Sequence, residues 1–243
     1  MNKLTVVGIG PGNYENMTVR ADEALKNCQV IVGYNVYVDL VKERYADKEF
    51  VTTPMTQETK RCQMALELAA NGKTVAVVCS GDSGIYGMAA LLYELRGDAT
   101  APEIEIIPGI TAACSGAALL GAPLTHDFAV ISLSDRLTDW TVIEKRLVSA
   151  AMADFSIVLY NPVSKGRPEH LRRACDILLR YLPEKRICGI AQHIGRDGEN
   201  AKILSLMELK DAEADMFCTV FIGNSKTECI GSNMITPRGY RDV

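Results

Sequence analysis

The sequence predicts an α/β protein folded as two domains. Three observations carry that reading. Short β-branched runs alternate with helical patterns through the first half. The run TVAVV is apolar at consecutive positions, as expected of a strand covered on both faces. The segments that follow the strand-like runs are rich in Gly, Pro, Ser, Asp and Asn.

In chain order, LTVVGI predicts a first strand and TVRADEALKN a helix; QVIVG a second strand and VYVDLVKERY a helix. ETKRCQMALELAANG then predicts a helix before TVAVVCS, and GIYGMAALLYEL another before EIEIIPG. Strands separated by crossover helices form a mostly parallel sheet. The pattern breaks at APLTHDF, which places a domain boundary near Gly121 to Phe128 and divides the chain into residues 1–121 and 122–243. Beyond it come FAVISLS, a helix around IEKRLVSAAM, FSIVLYN, a helix in EHLRRACDILLRYL, then RICGIA, AKILSL and CTVFIGN. Few helices separate these last strands, so the second sheet is expected to be mixed, with antiparallel pairs.

Composition excludes several function classes. No apolar stretch reaches the roughly 18–20 residues that cross a bilayer, and the start shows no basic segment leading into a secretory signal, so a cytoplasmic protein without membrane attachment is expected. A formal charge of −4 argues against nucleic-acid binding. The 8 cysteines are scattered, with no CxxC pair, and read as small reduced core residues. His126, His170 and His193 share no ligand spacing, so no metal site is expected. His170 reads as a helix-surface residue.

In open α/β sheets, ligands sit beyond the carboxyl ends of strands, so the post-strand loops are the candidates. Gly8-Ile9-Gly10-Pro11-Gly12 fails the dinucleotide fingerprint, because Asn13 stands where a third glycine is required and no acid ends the second strand. Asn71-Gly72-Lys73-Thr74 fails as a phosphate loop, with Glu67 at the first glycine position. In Ser80-Gly81-Asp82-Ser83-Gly84-Ile85, the acid either caps the amides that follow or receives a ligand's hydroxyls or cation. Pro108-Gly109-Ile110-Thr111-Ala112 opens a helix of very small residues, which suits close ligand approach and close helix packing equally. Tyr160-Asn161-Pro162 is followed by Lys165 and Arg167, loop cations suited to carboxylates. Arg172 and Arg173 read equally as a solvated helix face. Gly195-Arg196-Asp197-Gly198-Glu199 reads as a turn between strands.

Taken together and in order, GIGPG, VGY, SGDSGIYGMA, PGITAACSGAALLGAPLTHDF, ISLSD, VLYNPVSKGR, GRDGE, FIGN and ITPRGY resemble the cobalamin-pathway branch of the tetrapyrrole methylases over the whole chain. Within that branch the ISLSD, YNP and ITPRGY segments look most like the member that methylates carbon C(17) of the macrocycle and is linked to ring contraction. The resemblance implies the tetrapyrrole methylase fold, unlike Rossmann-type methyltransferases, with S-adenosylmethionine in a cleft between the domains, S-adenosylhomocysteine as product, and a homodimer. Carried over by motif, cofactor-contacting positions are Pro11, Gly81, Asp82, Ile85, Thr111 and Ala112, with Asn161 and Ala191 from the second domain, where some members carry Met and Gly. Candidates for the carboxylates of a tetrapyrrole substrate are Lys165, Arg167, Arg196 and Arg238; for proton transfer, His126, Asp127, Ser132, Ser134, Asp135 and Tyr160, unranked. Competing expectations are methyl transfer to another corrinoid carbon, a non-catalytic tetrapyrrole-binding protein, and a nucleotide-binding oxidoreductase.

Overall fold

The computed structural model describes residues 3–240. Residues up to Ala112 group into one compact unit and those from Ala113 onward into another.

The first unit holds β1 (Lys3–Gly8), α1 (Val19–Asn27), β2 (Val30–Tyr34), α2 (Asn35–Asp39), β3 (Glu49–Thr53), α3 (Glu58–Ala70), β4 (Val75–Cys79), α4 (Ala89–Arg96) and β5 (Glu103–Ile107). Its five strands lie in the order β3-β2-β4-β1-β5, every neighbouring pair parallel. Every residue of β4 is buried, and period two explains how. Val75, Val77 and Cys79 pack with Cys62, Ala65 and Ala69 of α3 and Leu92 of α4, whereas Ala76 and Val78 pack with Ala21 and Leu25 of α1 and with Val38. A strand with helices on both sides has no polar face, which is why TVAVV does not alternate. The chain leaves β1 toward β2 on one side and leaves β4 toward β5 on the other, so adjacent strands send their helices to opposite faces. Such a switch point opens a crevice at the carboxyl ends of the two strands.

The second unit takes in most of α5 (Ala112–Leu120), followed by β6 (Gly121–Ala122), β7 (Phe128–Ser132), α6 (Trp140–Met152), β8 (Ser156–Tyr160), α7 (His170–Leu178), β9 (Ile187–Gln192), β10 (Asn200–Ser205), α8 (Leu206–Leu209), β11 (Cys218–Ile222), β12 (Glu228–Ile230) and β13 (Asn233–Ile235). The main sheet runs β10-β9-β11-β8-β7, parallel only between β7 and β8, and β12, β13 and β6 form a small sheet. Helices α6 and α7 cover one face through Ile143, Leu147, Leu171 and Leu178. Helix α5 covers the other at very short range: a Cβ on Gly116 would lie 2.9 Å from the Phe221 ring, and one on Gly189 2.5 Å from Leu120. Its small residues therefore serve helix-on-sheet packing, and that packing groups the helix with the strands that follow it.

Several elements are absent from the sequence expectation. The run VYVDLVKERY yields only the five-residue α2 before turns, although Val38, Val41 and Tyr45 are buried. Strand β3 is an edge strand with a weak pattern, and β6, β12 and β13 are only two or three residues long. Helix α8 did carry a signal, because Ser205 and Glu208 form a reciprocal capping box. Six cysteines are buried, but Cys114 and Cys229 are exposed.

Candidate functional site

The loops after β1, β4 and β5 of the first unit meet through backbone. Gly10 and Gly81 form an antiparallel bridge with N···O distances of 3.1 and 2.7 Å. Both take positive φ, +75° and +68°, in the region that favours glycine. A Cβ on Gly109 would lie 2.1 Å from the Gly81 carbonyl, and one on Gly8 2.6 Å from the Gly109 nitrogen. The glycines are thus required by contact between three loops.

Asp82 ties the loops together. Its Oδ1 accepts from the Gly84 and Ile85 N–H groups at 2.8 and 3.0 Å, and its Oδ2 accepts from the Gly109 N–H at 2.9 Å. The capping role is therefore what its geometry displays, extended to the third loop. Ser83 is fully buried and donates to the Ile107 carbonyl at 2.9 Å. Around this rim Pro11 is buried, Thr111 and Ala112 are half-buried, and Ile85 and Tyr86 are exposed.

A cluster that sequence reasoning missed anchors the exit of the first loop. Asp22, buried on α1, accepts from Tyr45 Oη at 2.7 Å and Tyr14 Oη at 3.3 Å, and pairs with Lys26 at 2.5 Å and Arg44 at 3.5 Å. Burial opposes its charge, but the bonds from Lys26 and Tyr45 and the charges of Lys26 and Arg44 outweigh it and bring the carboxyl down to about 2. Only the i,i+4 spacing of Asp22 and Lys26 was legible beforehand.

In the second unit, β7 and β8 end side by side, with Ser132 opposite Tyr160. Ser132 Oγ accepts from Asn161 Nδ2 at 2.9 Å and from the Ser134 N–H at 3.2 Å. Asn161 sits at φ +53°, a left-handed conformation that Asn tolerates better than most residues. Tyr160 Oη accepts from the Ala113 N–H at 2.7 Å, at the start of α5. Arg167 donates from Nε to Ser164 Oγ at 3.0 Å and from Nη1 to Ser134 Oγ, and lies 3.7 Å from Asp135 Oδ1. His170 Nε2 stands 3.1 Å from Asp135 Oδ2, and its ring meets Trp140 edge-on at 4.8 Å. The His170 beside it, and more weakly Arg167, hold the Asp135 carboxyl below the usual carboxylate range against a small opposing effect of burial.

The structure therefore brings Ser132, Ser134, Asp135, Tyr160, Asn161 and Arg167 together and separates them from His126 and Asp127. Those two precede Phe128 at the amino end of β7, about 13 Å along the strand from Ser132 at ~3.3 Å per residue. His126 instead lines a concavity of ≈ 520 Å³ with Arg238, Lys226 and Tyr240. Lys165 is exposed and makes no ion pair among the described residues. Arg196 lies 5.0 Å over the Phe217 ring. Ala191 is fully buried between β10 and β11. The Arg172 and Arg173 face is structural, Arg172 pairing with Asp211 at 2.7 Å and Arg173 stacking 4.2 Å over Trp140. The expectation that His170 is a surface residue is corrected: its side chain is 14% exposed, held by Trp140 and Asp135. The described residues contain no group of three or more His, Cys, Asp or Glu able to hold a metal, and no helix long and apolar enough to cross a membrane.

Residues 3–210 match the family described as Tetrapyrrole (Corrin/Porphyrin) Methylases. The chain is 47% identical over 98% of its length to a probable cobalt-factor III C(17)-methyltransferase of Salmonella typhimurium, spanning 99% of that protein. It is 44% identical over 98% of its length to a cobalt-factor III methyltransferase of Priestia megaterium, of which it spans 45%. The crystal structure of the methyltransferase CobJ superimposes with a TM-score of 0.90 at 38% identity, covering 96% of this chain and 99% of that one. With a family match across most of its residues and relatives this similar from end to end, the chain belongs to the tetrapyrrole methylases.

Proposed function

We propose that this protein transfers a methyl group from S-adenosylmethionine to C(17) of cobalt-factor III or precorrin-3B, with the associated ring contraction, in cobalamin (vitamin B12) biosynthesis. The observation that carries the reading is the glycine-walled rim at the β1/β4 switch point, in a chain matched end to end by a relative named as a probable cobalt-factor III C(17)-methyltransferase.

The rim fits such a cofactor. Glycines at 8, 10, 81 and 109 leave backbone rather than side chains at the carboxyl ends of the strands, and Ile85 offers exposed apolar surface beside them. In this reading Pro11, Gly81, Ile85, Thr111 and Ala112 contact the cofactor, and Asp82 holds the shape of their loops; Ala191, fully buried in β9, is not among the contacts. S-adenosylmethionine supplies an electrophilic methyl on a sulfonium, so the attacking carbon is the macrocycle's own. The chain forms no covalent bond; its residues position, shield and polarise. Lys165, Arg196 and Arg238 meet substrate carboxylates, Arg238 from the concavity it lines with His126, and Arg167 holds the loop that carries Lys165. Proton movements of ring contraction fall to Ser132, Ser134 and Tyr160, grouped at the ends of β7 and β8, while Asp135 stays charged beside His170.

Incubation with methyl-labelled S-adenosylmethionine and each macrocycle in turn tests this directly. Label at C(17), located by carbon NMR, is expected; transfer to neither substrate overturns the reading, and label on another carbon reassigns the regiochemistry. Calorimetry with S-adenosylhomocysteine separates an enzyme, which binds it, from a carrier, which does not. Light scattering checks the proposed homodimer, and the free cysteines accord with a cytoplasmic setting.

A further inference from the structure

Arg61 is a buried cation outside the hydrogen-bond networks of both rims. It stands near the start of α3 with 3% of its surface exposed, and its partners are all neutral. Nε donates to Thr53 Oγ1 at 2.9 Å, Nη2 to the Pro54 and Thr53 carbonyls at 3.1 and 3.4 Å, and Nη1 to the Met88 thioether at 3.3 Å. A thioether is a weak acceptor, so one arm of the fork is poorly spent. Arg61 makes no ion pair among the described residues. The acids of neighbouring segments are engaged elsewhere, Glu58 accepting from the Thr56 N–H at 3.1 Å and Asp82 from its three amides. Burying a guanidinium without a counter-charge is costly, and a clamp on Thr53 and Pro54 needs only neutral donors. The clamp alone leaves the charge unexplained.

Its place supplies a use. Tyr34 and Thr53 end β2 and β3, and Met88 closes the loop after β4; the Tyr34 ring lies 5.9 Å from the guanidinium, so Arg61 sits at the carboxyl edge of the parallel sheet. In the order β3-β2-β4-β1-β5 this is the flank of the glycine rim away from β5, one to two strand spacings of ~4.8 Å from β4. The charge is felt at the end of β4. Burial pushes the Cys79 thiol there up to about 11, and of the charges acting on it Arg61, which favours the thiolate, exceeds Asp82, which opposes it.

We propose that Arg61 is a positioning residue for an anionic substrate: its uncompensated charge, acting from beneath the exposed Pro54, draws a carboxylate of the macrocycle to the flank formed by the ends of β2 and β3. A charge in a low-dielectric floor is screened less than one in solvent, so it need not touch the carboxylate. That the carboxylate belongs to a corrinoid rests on the proposed function; the attraction of the flank for one does not.

Two variants remove the charge in opposite ways. Arg61→Met deletes the cation and keeps its length, whereas Met88→Glu leaves the cation and places the missing carboxylate beside Nη1, tightening the clamp while neutralising it. Each should weaken binding of cobalt-factor III, followed by its visible absorbance, about 10-fold. Arg61→Lys, which keeps a charge without the fork, should stay within threefold of the parent. With the amidated macrocycle, whose side chains are neutral, the parent and all three variants should agree within twofold. Met88→Glu carries the test if Arg61→Met does not fold. Lys as damaging as Met, Glu without effect, or equal losses for the acid and amide forms would overturn the proposal by marking Arg61 as a clamp.

Kinetics identifies whose carboxylate is drawn. Met88→Glu should raise the KM for the corrinoid about 10-fold and leave that for S-adenosylmethionine within twofold; an equal or larger rise for S-adenosylmethionine assigns the carboxylate to the cofactor and overturns the proposal. A parent that binds cobalt-factor III with this charge dependence but methylates neither macrocycle sinks the functional reading alone. A parent that methylates, with binding unmoved in both charge variants, sinks the role of Arg61 alone, and one that binds no macrocycle sinks both.

Discussion

The two units build their strand-end loops from opposite materials. In the first, three loops touch through glycine backbone and a single carboxylate collects three N–H groups across them. In the second, the loops after β7 and β8 share one backbone bond, from the Leu133 N–H to the Tyr160 carbonyl at 2.9 Å, and beyond it are joined by Ser, Asn and Arg side chains with Asp135 and His170 beside them. A backbone rim is stiff because Asp82 is the side chain that ties it and three N–H groups fix that carboxylate, which suits a ligand of fixed shape. A side-chain rim can reorganise when one partner changes, which suits a large substrate that passes through several shapes.

That contrast predicts unequal responses to mutation. The largest effect is expected at Gly109→Ala, where the new methyl would sit 2.1 Å from the Gly81 carbonyl and backbone would have to move. Stability should fall by about 3 kcal/mol or more, and S-adenosylhomocysteine binding by calorimetry should weaken about 100-fold, ~2.7 kcal/mol. Normal binding by that variant would break the account of the rim.

Asp82→Ala comes next, leaving three N–H groups without their acceptor at a cost of about 2–3 kcal/mol. Affinity for S-adenosylhomocysteine should drop more than affinity for the corrinoid, and Arg167→Ala should show the reverse order. Equal losses in both variants would erase the distinction between the two rims.

Acid titration sharpens the comparison on the first unit. A carboxyl lowered from 3.8 to about 2 on folding contributes roughly 2 kcal/mol by its shift. The folded group is the more acidic, so this stability is fully present above about pH 4 and is lost as pH falls toward about 2. Asp22→Asn should therefore be less stable near neutrality and show a shallower acid unfolding curve across that window, read by circular dichroism. The smallest effect belongs to Lys165→Ala, which removes an exposed cation that makes no ion pair among the described residues: a corrinoid KM several-fold higher and a melting temperature unchanged.

Legibility in the sequence followed the same division. The first rim was readable because tight backbone contact demands glycine, and GIGPG, SGDSG and PGI display that demand in the residue types themselves. Asp82 stood out as an acid beyond a buried strand, though its reach to the Gly109 N–H did not, because that contact spans 27 positions. The second rim was readable as a set of polar loops, but its pairings were not. Nothing in an HLRRAC pattern distinguishes a histidine on solvent from one wedged between Trp140 and Asp135. His126 and Asp127 entered the candidate set because they lie on the expected link between domains, where a titratable group could reach a ligand; the extended strand β7 separates them from Ser132.

By itself the sequence determined the strands of the two main sheets other than β3, the main crossover helices, the parallel first sheet and the glycine loops, because each depends on local periodicity or on conformations open to few residue types. Tertiary structure alone decided that α5 packs on the second sheet, that Asp22 gathers two tyrosines and two cations, and that Arg167 bonds to a serine beside a carboxylate. Those outcomes are set by which side chains distant in the chain arrive within about 4 Å of one another, and no local pattern encodes such meetings.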